Sequence, residues 1–97
     1  MNDYYLEKSN RKDKKYMVSY INQDTKKINT IHFGDKGMSD YTQHKDDERK
    51  QRYIKRHQVN ENFDDPYSPG ALSRWILWNK PTLDESIRDY KIRFDFN

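Results

Sequence analysis

The sequence predicts a small α+β protein: an N-terminal β-hairpin packed with three α-helices, one long and basic, one Trp-rich, and one amphipathic at the C-terminus. Three observations carry this reading. Two β-rich runs, Tyr16 to Ile21 and Ile28 to Phe33, flank the polar segment Asn22 to Lys26, which is the pattern of a hairpin. Helix-start signals then recur at Ser39 or Asp40, at Ser68-Pro69 and at Thr82, followed by segments with helical periodicity. Finally, eight Tyr, four Phe and two Trp supply large rings that can fill a core in a chain with few aliphatic residues.

Residues 1 to 15 hold Lys8, Arg11, Lys12, Lys14 and Lys15 with only Tyr4, Tyr5 and Leu6 as apolar anchors. They read as a basic flexible arm or a short docked segment, ahead of a single domain over residues 16 to 97. After the hairpin, Gly34 and Gly37 end the second strand, since glycine accepts the positive φ that tight turns need. A helix is expected from about Tyr41 to about Gln58, with Asp46, Asp47 and Glu48 early and Lys55, Arg56 and His57 late, the order the helix dipole favours. The loop from Asn60 to Pro66 has Phe63 as its buried pin. Ser68 and Pro69 open the Trp-rich helix, which holds Leu72, Trp75, Ile76 and Trp78 and stops at Asn79 and Pro81. Thr82 and Glu85 form a capping box for the last helix, with Leu83, Ile87, Tyr90 and Phe94 on one face.

Composition narrows the function. With no cysteine, disulfide scaffolds, thiol catalysis and thiolate zinc sites are excluded. No apolar run approaches the roughly 18 to 20 residues that span a bilayer, and the first residues lack the apolar stretch of a signal peptide, so a soluble, intracellular protein with no membrane partner is expected. A net charge of +3 permits a polyanion partner without demanding one.

The sharpest motif is on the expected long helix. Lys45, Arg49, Arg52 and Arg56, at spacings of four, three and four, fall within roughly 60° of one another and form a cationic stripe. Guanidinium groups bind phosphate oxygens in a bidentate fork and displace condensed counterions. Tyr53 flanks the stripe, placed either to stack on a base or to face the core. A competing reading is a solvated face on which Asp46 and Glu48 pair with Lys50 and Arg52. The second motif is Arg74-Trp75-Ile76-Leu77-Trp78, apolar over most of its circumference. Trp75 is expected to face the core with Leu72 and Ile76, leaving Trp78 or Leu77 half exposed as a protein interface; the alternative is a fully enclosed central helix. His32, His44 and His57 have no spacing that pairs two imidazoles on one helix face, so no metal and no cofactor are expected. A nuclease-like pairing of His57 with Glu61, Asp64 or Asp65 remains the outside reading.

The blocks Phe33-Gly34-Asp35-Lys36-Gly37-Met38-Ser39-Asp40-Tyr41-Thr42, His44-Lys45-Asp46, Arg52-Tyr53-Ile54-Lys55-Arg56-His57 and Gly70-Ala71-Leu72-Ser73-Arg74-Trp75-Ile76-Leu77-Trp78-Asn79-Lys80-Pro81-Thr82 resemble an uncharacterised small basic protein family of giant DNA viruses, algal viruses and some phages. The likeness runs from about Ile31 to Phe94 in order. It implies viral origin and a shared fold, with residence in the infected host cell (cytoplasm or nucleus) or the virion interior, and it brings no catalytic residues. The expected function is that of a non-enzymatic accessory protein binding the DNA or RNA backbone non-specifically through Lys45, Arg49, Arg52, Arg56 and Tyr53. The alternative is a virion structural or adaptor protein that docks another viral protein, or a second copy of itself, through Trp78 and Leu77.

Overall fold

The computed structural model describes residues 4–96. It has α+β architecture: a three-stranded antiparallel sheet, four α-helices and a π-helical segment. Residues 1–3 of the expected arm lie outside the described residues.

The first departure from expectation is at the arm. Tyr4–Lys8 forms strand β1, paired antiparallel with β2 (Lys14–Ile21), and β2 pairs in turn with β3 (Ile28–Asp35). The hairpin is therefore two-thirds of a meander in the order β1-β2-β3. Alternation explains why the arm docks: Tyr4 and Leu6 share a face with their partners Tyr20 and Val18, and Tyr4 is only 2% exposed. Of the two readings of this segment the docked one holds, because Tyr4 and Leu6 alternate at period two onto one face of the sheet.

Core packing follows from that face. Tyr4, Val18 and Phe33 from the sheet meet Leu72, Ile76, Leu77, Tyr90 and Phe96. Tyr4 lies with its ring centroid 4.5 Å from Phe96 and 5.1 Å from Tyr90, so aromatic rings fill the volume that aliphatic residues fill elsewhere.

The long helix is two helices. α1 (Tyr41–His44) is capped by Asp40, whose carboxylate accepts from the Thr42 amide while Gln43 reaches back to the Asp40 amide. Lys45 then adopts a left-handed conformation, φ 56°, and ends it. Asp46 caps α2 (Asp47–His57), accepting from the amides of Glu48 and Arg49. A second N-cap one turn after the first restarts the helix, because a side-chain oxygen that satisfies free amides competes with helix continuation.

The Trp-rich segment begins as expected at Ser68 and Pro69 with α3 (Pro69–Leu72), but continues as a π-helical segment, Ser73–Leu77, closed by a hydrogen bond that the Trp78 amide N–H donates to the Ser73 carbonyl. The wider turn brings Leu72, Ile76 and Leu77 all onto the sheet, each 2% exposed or less. α4 (Leu83–Arg93) starts at Thr82, which accepts from the Glu85 amide, and places the buried Tyr90 against Tyr4.

Candidate nucleic-acid interface

The basic stripe is shorter than its spacing suggests. Lys45 is in the kink between α1 and α2, where its ammonium donates to the Thr42 carbonyl at 2.9 Å, so it does not extend the α2 face. Arg49, Arg52 and Arg56 remain on α2, all exposed, within roughly 60° of one another over about 10 Å of helix axis. Arg49 donates to the Ser39 hydroxyl at 3.0 Å. Arg52 stands 3.9 Å from Glu48, both side chains largely in solvent, a pairing that stabilises little. Arg49 and Arg56 have no carboxylate within ion-pair distance among the described residues. The opposite side of α2 is fixed by Lys50, which donates to the Asn79 carbonyl at 2.6 Å and lies 4.7 Å over the Tyr41 ring. Burial, more than the nearby Arg74, lowers the Lys50 pKa.

Tyr53 faces inward. It is 7% exposed, stacks on Trp78 at 4.3 Å with the planes 3° apart, and carries His57 on its other side at 4.3 Å. Both ring faces are occupied, so it cannot stack on a base, and burial pushes its phenol far above the usual range. Trp78 continues the column to His44 at 5.2 Å. Of the two residues expected at a protein interface, Leu77 is buried at 2% exposure, which removes it as a surface anchor; Trp78 is half-buried within the His57-Tyr53-Trp78-His44 column. Trp75 sits at the edge of the core. Its indole N–H donates to the Phe63 carbonyl at 2.7 Å, and the guanidinium groups of Arg74 and Arg93 lie 4.1 and 3.8 Å from its ring.

Between the end of β3, the C-terminal turn of α2 and the π-helical segment lies a half-open cleft of about 260 Å³. Arg56, Lys14, His57, Glu61, Ser73 and Trp78 are among the residues that line it. Lys14 pairs with Asp35 at 3.2 Å, and His57 with Glu61 at 3.3 Å. A second concavity beside it shares Lys15 and Asp40; these two form an ion pair of 2.5 Å, almost enclosed. Lys14 and Lys15, read in sequence as part of an arm or short docked segment, are strand residues; Lys14 pairs with Asp35 of β3 and Lys15 reaches Asp40 and Gln43 at α1. Period-two alternation through Tyr16 and Val18 was the signal that could have placed them.

The three histidines are dispersed. His32 contacts the Ser9 hydroxyl at 2.7 Å, His44 accepts from the Asp46 amide at 3.0 Å, and only His57 meets a carboxylate. Among the described residues no three His, Asp or Glu side chains come together as a metal site, and no helix is long and apolar enough to cross a membrane.

Residues 4–57 match the family described as Family of unknown function (DUF5754). Neither the curated proteins nor the solved structures contain a match to the chain.

Proposed function

The chain belongs to this family of unknown function, and from that premise we propose that it binds nucleic acid non-specifically through the phosphate backbone, on the arginine face of α2. One observation carries the reading: Arg49, Arg52 and Arg56 project from one exposed helix face, and two of the three lack any carboxylate partner among the described residues. A row of about 10 Å corresponds to roughly three phosphates at 3.4 Å of rise per strand residue. In the viral setting that the resemblance implies, such a protein acts as an accessory factor in the host cell or inside the particle. The docking alternative keeps only the half-buried Trp78, since Leu77 is enclosed.

Replacing Arg49, Arg52 and Arg56 together by Gln tests the proposal, because Gln is an adequate helix former. Measured by fluorescence anisotropy on labelled oligonucleotides at one salt concentration, affinity is expected to fall at least tenfold while the melting midpoint stays near that of the parent. Equal affinity of variant and parent would refute the assignment.

A further inference from the structure

Arg56 is exposed on the α2 face and also lines the cleft, so a phosphate held there puts the attached nucleotide beside the cleft. We propose that the cleft takes one unpaired nucleobase of a single-stranded nucleic acid, with its phosphate on Arg56. The inference rests on the backbone-binding reading above and names its preferred substrate.

Size comes first. At about 260 Å³ the cleft lies just under the roughly 300 to 1,000 Å³ of sites for drug-sized ligands, which suits one ring system and excludes a base pair. Chemistry agrees. A nucleobase edge offers donors and acceptors together, and the cleft presents both kinds: the Lys14 ammonium as donor and the Ser73 hydroxyl as acceptor. Lys14 is already paired with Asp35, so the cleft suits a neutral polar ring better than a second anion, and the phosphate is left to Arg56. Its apolar wall is the edge of Trp78 with Leu77 and Phe33. The lining also includes Ser73 and Leu77 of the π-helical segment, a form of backbone that is frequent at functional sites. A paired base reaches such a cleft only after extrusion, which costs a duplex its stacking and pairing, so single strands are favoured.

The test compares three probes on the full chain at one salt concentration: a thymidine dodecamer, the same dodecamer with abasic sites throughout, and the duplex of the thymidine strand with its complement. Two hydrogen bonds to the base change affinity by roughly 5- to 150-fold, so the thymidine strand is expected to bind at least fivefold tighter than either competitor. Equal binding of thymidine and abasic strands would overturn the base-in-cleft assignment and leave the α2 reading standing; failure of all three to bind would overturn both. Filling the cleft by Ser73→Leu is expected to reduce thymidine binding to the abasic level without changing abasic binding. If that variant does not fold, the comparison of probes on the parent decides alone.

Discussion

Trp78→Ala separates a core role from a surface role. Trp78 is stacked on Tyr53 at 4.3 Å and touches His44 at 5.2 Å. Removing the ring withdraws about 100 Å² of apolar contact from a half-buried position, about 2.5 kcal/mol at 25 cal/mol per Å². Loss of the parallel stack with Tyr53 adds about 1 kcal/mol, for a total of about 3.5 kcal/mol. At roughly 4 to 8 °C per kcal/mol for a domain of this size, the far-UV circular dichroism midpoint is expected to fall by roughly 15 to 25 °C. A midpoint within about 4 °C of the parent would mean that the column does not hold α2 to the π-helical segment, and would return Trp78 to the surface role its sequence position suggested.

Two further perturbations probe the elements that set the site. Burial, helped by Arg49, lowers the His44 pKa from its ordinary 6.5, against smaller opposing effects of Asp46 and Asp40; the unfolded chain therefore takes up the proton first, and stability present above pH 6.5 is lost as pH falls toward the folded pKa. His44→Gln is expected to flatten the melting midpoint between pH 7 and pH 5 relative to the parent, and superimposable profiles would contradict this. Gly34→Ala places a methyl group 2.7 Å from Leu77 Cδ1 at a φ of +79°, so a loss of about 2 to 4 kcal/mol is expected from backbone strain and core displacement, checked by urea denaturation; a loss below about 1 kcal/mol would show that Leu77 yields easily.

Much of the chain was legible because local chemistry and global packing agree there. Ser68-Pro69 and Thr82 start helices in the structure as they do in the sequence, and the hairpin pairs in register from Ile21 with Ile28 to Tyr16 with Phe33. The errors arose where a local signal was outweighed or overlooked. Charge density left residues 4–8 between a flexible arm and a docked segment, and the buried ring of Tyr4 decides for docking. Helical spacing linked Lys45 to Arg49, but spacing says nothing about a second cap, and Asp46 interrupts the helix between them. An α-helical wheel cannot place Leu77 on the same side as both Leu72 and Ile76 as closely as the π-turn does, which is why Leu77 was expected at the surface. The cleft was not legible at all, since its residues come from β2, β3, α2 and the π-helical segment and meet only through tertiary packing.

The salt dependence of single-strand binding tests the central claim most directly. Three arginine–phosphate contacts on a single strand imply a slope of about −2 in log affinity against log salt, from roughly −0.7 per contact. Titrating the parent chain with a labelled thymidine dodecamer from about 50 to 200 mM salt should therefore weaken binding by roughly 20-fold. A flat response, or no binding at the lowest salt, would contradict the assignment of α2 as a phosphate-binding face.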